Sequence, residues 1–553
     1  MKSAPSAIMT ADGSPMHGRP ARARLQRGIG FPDESMPDLR HASSIAALAA
    51  LLVILGIPAA GSAAAATLRR GIVETIDTLD PRGSATPEAR LIARDLFEGL
   101  VTLDAQRRPV PGAARSPEVS EDGRTYLFRL RPDARWSNGE PVRAEAFVHA
   151  FRRAATNRDP KVRSLLRHVA NASAVASGQA PQEALGVDAP DDGTLRLRLD
   201  IRQPSILAAL ADVALSPVHS GQSRDGGTDP PVTNGPYRVA SWEPGKRLVL
   251  ERNRWHRDAL TGAADQVHYV ALGGAAGRLD AFRRGELDIL PVADQDLAWA
   301  QENAPDELHS SDLLTGAYLL VTASDNALGR EVDLRRALAL ALDRAALTKS
   351  VSPPGLRPTD ALLPAPIAGY APAAPADRPL SPADRRARAA ALLAGASRGT
   401  PPLAEVKLCF ENGRSPSRRQ ILATGLLWHL ALGLAVKPVA LAPQRAGAAE
   451  GCDLRAATLH ADVADPLSFL RALAAEVGEQ LVPGVVERLD AAGEEADPKA
   501  RMERLREAER ALLESHRVIP LWQEVANVLV KGRVGGWRAS DPFLPTRFLT
   551  VIE

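Results

Sequence analysis

Residues 453–470 read DLRAATLHADVADPLSFL: an apolar-rich run, an aspartate, then an acid-proline pair ahead of a second apolar run. The first part has the character of a buried strand, and Asp462 stands at its end, three residues past Leu459. A carboxylate at the end of a buried strand needs either backbone N–H groups, as the cap of the turn or helix that follows, or a cation. Asp465, directly before Pro466, reads as a turn residue.

Around this stretch the chain alternates β-rich runs with helical patterns and shows no fixed-period repeat. TYLFRLRPDARW (125–136) alternates apolar and polar positions, as a strand with one wet face does. RAEAFVHAFRRAAT (143–156) returns to a helical period. DLRRALALALDRAAL (333–347) predicts one helix with Arg335, Arg336 and Arg344 outward. LSPADRRARAAALLAG (380–395) predicts another, with Ser381 as N-cap, Pro382 at the first helical position and a stop at Gly395. The proline-rich residues 352–379 between them predict a long surface connection of polyproline character.

Composition sets the class. The chain has 553 residues, 45% hydrophobic and 24% charged, enough for two or three packed domains. Its net charge of +2 is accounted for by residues 1–66, and the rest is neutral, so nothing attracts nucleic acid or an anionic membrane. The N-terminus carries Arg40 and His41, an apolar stretch over 45–57 and then small residues, the plan of a secretory signal peptide. Cleavage near Ala66 would yield an exported protein with no membrane insertion, and Met36 is an alternative start. The apolar run is shorter than the roughly 20 residues of a spanning helix.

Cys409 and Cys452 both lie in short apolar runs, VKLCFE and CDLRAA. In an oxidising compartment they form either one disulfide or two buried thiols. Metal-ligand spacing is absent from the sequence, no cofactor is expected, and the histidines are scattered. GASRG (395–399) matches the G-x-S-x-G of a hydrolase. A nucleophile elbow needs a strand before the serine and a helix after it, and around Ser397 the order is reversed. No enzyme is expected.

LDPRGSATPEARLIARDLFEGLV, YLFRLRPDARWSNGEPVRAEAFVHAFRR, TNGPYRVASWEPGKRLVLERNRWH, FRRGELDI, DLRRALALALDRAAL and ADVADPLSFL occur in this order. The series resembles the oligopeptide- and dipeptide-binding family of ABC-transporter solute receptors, nearest its oligopeptide- and murein-tripeptide-binding members. The resemblance spans residues 67–553. It implies an α/β fold of the type II periplasmic binding protein kind, two lobes with hinge closure plus an additional domain. Residues 1–66 would be signal peptide and N-terminal extension; 67–97, 215–312 and 523–553 would form domain I, 98–214 domain II, and 313–522 domain III. The segments TASDN (322–326) and PLWQEV (520–525) fall near the later boundaries, between periodic segments.

The resemblance also implies a function: a periplasmic, monomeric receptor that captures short peptides and delivers them to membrane permease subunits and their ATPases. The chain itself carries no nucleotide-binding P-loop. In the family the aspartate of A-D-x-x-x-P pairs with the peptide α-ammonium group, which here falls to Asp462. Thr458, Leu459 and His460 would touch the ligand through backbone as much as side chain, and Ser84, Ala85 and Thr86 would face them. The departures are Leu459 and His460 where a Trp-Cys pair is usual, Ala456 where an arginine is usual, and Ala85 in place of a glutamate. Arg455 is one residue off, which turns a strand side chain to the opposite face. The alternative is a receptor diverged toward a non-peptide ligand, such as a metal chelate or haem held by His460 and Asp462, or a chaperone-like binding protein.

Overall fold

The computed structural model describes residues 66–552 except 74–75, 77, 84–85, 204, 222–229, 259–261, 273–276, 323–324, 352–354, 365–366, 368, 397–404, 412–415, 442–450, 462–464 and 539–541. Cleavage at Ala66 and the serine of GASRG therefore concern stretches outside, or at the border of, the described residues.

The strands that matter are β1 (Thr67–Ile72), β2 (Glu118–Val119), β3 (Thr125–Arg129), β4 (Val187–Asp191), β5 (Thr194–Arg198), β6 (Tyr237–Glu243), β7 (Arg247–Arg252) and β8 (Gln266–Ala271). They continue as β9 (Ile289–Pro291), β10 (Leu308–Val321), β11 (Leu356–Pro358), β12 (Glu405–Glu411), β13 (Ala435–Leu441), β14 (Leu454–His460) and β15 (Val518–Val530). The helices are α1 (Pro87–Leu96), α2 (Ala144–Ala155), α3 (Val332–Ala341), α4 (Arg344–Val351), α5 (Pro382–Ala396), α6 (Arg418–Leu432), α7 (Pro466–Val477), α8 (Pro483–Glu494) and α9 (Pro498–Glu514).

A mixed sheet runs in the order β13-β12-β14-β10-β15-β9-β1-β8-β7-β6, with β11 also on β15. A separate antiparallel sheet, β2-β3-β5-β4, carries α2. Burial follows this division. One core is drawn from residues 100–215, with Phe128, Phe147 and Phe151 at its centre. A second joins Leu68, Leu96, Tyr237 and Tyr269 to Val528, Val530 and Leu549. Two more lie on residues 314–522, one around Tyr318, Leu459, Phe469 and Leu505 and the other around Leu319, Trp428, Leu454 and Trp522.

The long strands β10 and β15 cross from one part of the sheet to the other without interruption. Their antiparallel register shifts between Asp312 and Gly316, and Gln523 Nε2 donates to the Leu313 carbonyl at 3.0 Å across the irregularity. Such a bulge bends a strand and raises its local twist. PLWQEV lies inside β15, not between periodic segments: its residues belong to the single strand Val518–Val530, which bulges at Leu521.

Three expectations need correction. Residues 333–347 form two helices, not one: α3 ends at Ala341, Leu342 turns extended, and Asp343 Oδ1 caps α4 by accepting from Ala346 N–H at 2.9 Å. Arg335 and Arg344 do not point outward. Arg335 is buried and donates to the carbonyls of Leu328, Gly329 and Ser515, while Arg344 donates to that of Pro520. Helical spacing marks an apolar face and cannot show that a guanidinium will be drawn inward by carbonyl oxygens freed at chain turns. Residues 352–379 are not merely a surface connection, since β11 joins the sheet there and Leu362, Leu363, Ile367 and Tyr370 are buried in a core.

Candidate functional site

The site expected from the sequence is built on β14. This strand pairs antiparallel with β10 along its whole length, from Leu454 opposite Val321 to His460 opposite Thr315. On its other side the parallel ladder with β12 covers only Leu454 and Arg455. Phe410 and Glu411 of β12 continue instead beside Ala440 and Leu441 of β13. The sheet thus splays after Cys409, which a disulfide joins to Cys452 at a Cα separation of 5.9 Å. The bridge ties the start of β14 to β12 at the point where the two strands part.

Side chains of β14 alternate between two covered faces. Ala457 and Leu459 enter the core with Tyr318 and Phe469, whereas Leu454 and Ala456 enter the core with Trp428. Leu459 is 7% exposed, so what it can offer a ligand is its backbone. Thr458 is half-buried on the opposite face, and His460 beyond it is exposed, its Nδ1 2.8 Å from Thr315 Oγ1. Arg455 shares the Leu459 face, where it donates to the Glu476 carbonyl at 3.1 Å and ion-pairs with the Glu476 carboxylate. The one-residue offset therefore does redirect it, toward α7.

After Ala461, whose N–H bonds the Leu314 carbonyl at 2.8 Å, Asp462 lies outside the described residues. The chain resumes at Asp465, the N-cap of α7: its Oδ2 accepts from Ser468 N–H at 3.2 Å and its Oδ1 from Arg501 Nη2 at 2.9 Å. Pro466 occupies the first helical turn, and Leu467, Leu470, Leu473, Ala474 and Val477 form the buried stripe. The N-cap of α7 is thus Asp465.

Across the sheet, Ser84 and Ala85 also lie outside the described residues. Thr86 caps α1, its hydroxyl accepting from Ala89 N–H at 3.2 Å. A capping hydroxyl keeps its own O–H free to donate, so Thr86 retains one polar function beside its structural one. Among the described residues no group of three or more His, Cys, Asp or Glu could hold a metal ion, and no helix is long and apolar enough to cross a membrane.

Sequence reasoning missed a buried charge centre at the joint between the two sheets. Glu98, 2% exposed, accepts from Arg257 Nη2 at 2.8 Å through its carboxylate and exchanges backbone hydrogen bonds with the Asn234 side chain. Arg547 Nη1 and His256 Nε2 each stand 3.9 Å from it. Burial holds the His256 imidazole below its ordinary value despite the nearby carboxylate. Nearby, Asp95 is fully buried and accepts from Tyr269 OH at 2.7 Å and Thr546 N–H at 2.9 Å. The available signal was the presence of Glu98 and Arg257 in apolar or turn-rich runs, but nothing local joins residues 159 apart.

The profile of the bacterial extracellular solute-binding proteins, family 5 Middle, matches residues 108–478. The periplasmic oligopeptide-binding protein OppA of Salmonella typhimurium is 29% identical over 502 residues, covering 86% of this chain and 90% of its own. The periplasmic murein peptide-binding protein MppA of Escherichia coli is 26% identical over 534 residues, covering 91% and 97%. The solved structure of OppA from Burkholderia pseudomallei is similar at 26% identity with a TM-score of 0.71, over 89% of this chain and 100% of that one. The mixed sheet with its helices is the type II periplasmic binding protein fold, and the chain belongs to the bacterial extracellular solute-binding proteins of family 5.

Proposed function

We propose that this protein is the receptor of an ABC importer, exported to the periplasm, which captures short peptides between two lobes and hands them to a membrane permease. The observation that carries the proposal is the end of β14, which outruns its ladder with β12 and leads directly into Asp462. An extended peptide added along such a strand gains main-chain hydrogen bonds that ignore side-chain identity. Hydrated side-chain pockets then tolerate many sequences, because bridging waters replace direct contacts. Similarity to oligopeptide- and murein-peptide-binding proteins over most of the chain supports the same ligand class.

In this proposal domain I comprises 67–97, 215–312 and 523–553, domain II 98–214 and domain III 313–522. The segregated cores and the two crossing strands support that division. Closure would bend β10 and β15 near the register shift at Asp312 and Gly316, because a ligand touching both lobes stabilises only the closed form. Thr458 and His460, with the backbone of Leu459, would line one wall and Ser84–Thr86 the other. The protein acts as a passive receptor, and its one mechanical step is closure.

Asp462 would receive the peptide α-ammonium group. Breaking an enclosed ion pair costs about 3–5 kcal/mol, so Asp462→Ala should weaken peptide binding by that amount and leave unfolding unchanged. Native mass spectrometry of protein purified from the periplasm should release a ladder of short peptides that the variant loses. Equal affinity in calorimetry, or a single non-peptide mass, would defeat the proposal.

A further inference from the structure

A cavity of about 440 Å³ opens between the end of α3, the start of α4, the chain after β11 and the first turn of α5. Strands β10 and β15 stand between β14 and the β11 side of this cavity, so it is separate from the β14 strand end. Its polar wall is made of Arg344, Arg378, Arg385 and Arg386 with Asp343 and Asp360, and its apolar wall includes Leu340, Leu342 and Leu380.

Four guanidiniums against two carboxylates leave this wall with positive charge in excess, and neither carboxylate is spare. Asp360 Oδ1 accepts from Arg378 Nε at 2.9 Å, and Asp343 caps α4. Arg344 spends its Nε on the Pro520 carbonyl at 2.6 Å. Arg385 spends Nε and Nη2 on the carbonyls of Leu380, at 3.2 Å, and Arg378, at 2.7 Å. Carbonyl oxygens orient a guanidinium without neutralising it. Burial lowers Arg344 to about 10, which still leaves it cationic at neutral pH. Arg386, one residue beyond, is exposed at the mouth. A smaller void of about 40 Å³ shares Arg344, Asp360, Arg378 and Arg385 and extends toward His516.

We propose that this cavity is a second binding site, which takes the dianionic head of a small phosphate monoester bearing an apolar substituent. The volume lies in the range of roughly 300–1,000 Å³ usual for small-molecule sites. Guanidinium forks match phosphate oxygens in pairs, and a monoester carries close to two negative charges at neutral pH. The apolar wall supplies the place for the substituent. The inference does not depend on the peptide-binding role of β14.

The test is calorimetric titration of the purified protein with phenyl phosphate, beside phenol and inorganic phosphate. Phenyl phosphate should bind one to one and about tenfold or more tighter than either fragment, the scale of one charge-assisted hydrogen bond against phenol and of one buried apolar group against inorganic phosphate. Arg386→Gln and Arg386→Glu should each weaken it about tenfold or more while the melting temperature stays in place. Arg385→Gln provides a second variant on the same wall. Phenyl phosphate binding no tighter than phenol or than inorganic phosphate would overturn the proposal, as would unchanged affinity in all three variants.

Discussion

Glu98 and the arginine cavity deal with buried charge in opposite ways. At Glu98 one carboxylate receives a guanidinium fork from Arg257, with Arg547 and His256 close by, and the centre is closed to solvent. Around Arg344 and Arg385 the cations are held by neutral carbonyls and face an open volume. The first arrangement pairs its carboxylate internally and lies at the joint between the two sheets. The second keeps its charge available, at the cost of stability a paired centre would supply.

Breaking the closed centre should have the largest effect. Glu98→Ala leaves Arg257 and Arg547 without their carboxylate and should cost about 3–5 kcal/mol in denaturant unfolding. Replacing Glu98 and Arg257 together by leucine should cost less, since Arg547 alone is then left without its carboxylate. If the double variant is as unstable as the single one, the centre acts through packing and not through charge.

Two histidines sharpen the contrast. Burial and the neighbouring Arg471 and Arg167 push His168 down to about 4, and burial with Arg336 does the same to His516 beside the cavity. Both are neutral in the folded protein, whereas an unfolded histidine takes up its proton near pH 6.5. Unfolded chains therefore bind more protons between these values, so stability is complete above about pH 6.5 and is lost as the pH falls toward 4. Allowing for solvent at half-buried sites, each should contribute about 1–2 kcal/mol of loss at pH 5. His168→Gln with His516→Gln should flatten the pH dependence of the melting temperature over that interval; an undiminished slope would assign it to other groups.

The smallest expected effect is at the cavity mouth. Arg386→Gln should alter unfolding by no more than about 0.5 kcal/mol, as surface substitutions away from buried partners do. A larger loss would mean that Arg386 stabilises the fold and that the two regions differ less than their hydrogen bonding indicates.

Much of the molecule was legible locally. Ser381 and Pro382 start α5 where capping chemistry puts the start, and the helix ends one residue beyond the expected Gly395. The alternation in TYLFR becomes β3 with Tyr126 and Phe128 inward. The expected strand of residues 453–462 is present as Leu454–His460, whereas Asp465, read as a turn residue, is the N-cap of α7. Periodicity and caps depend on neighbours within one turn or one strand, so sequence contains their causes.

What sequence by itself determined was the family, the α/β class, most elements, and the pattern that singles out Asp462. Tertiary structure alone decided that Leu459 is spent on a core, that Arg455 turns to Glu476, that Arg335 and Arg344 point inward, and that Cys409 meets Cys452. It also decided that Glu98 meets Arg257 and that four arginines share one cavity wall. These outcomes depend on which surfaces pack together, and the partners that neutralise or orient a charge come from segments tens or hundreds of residues away, whose approach no local pattern encodes.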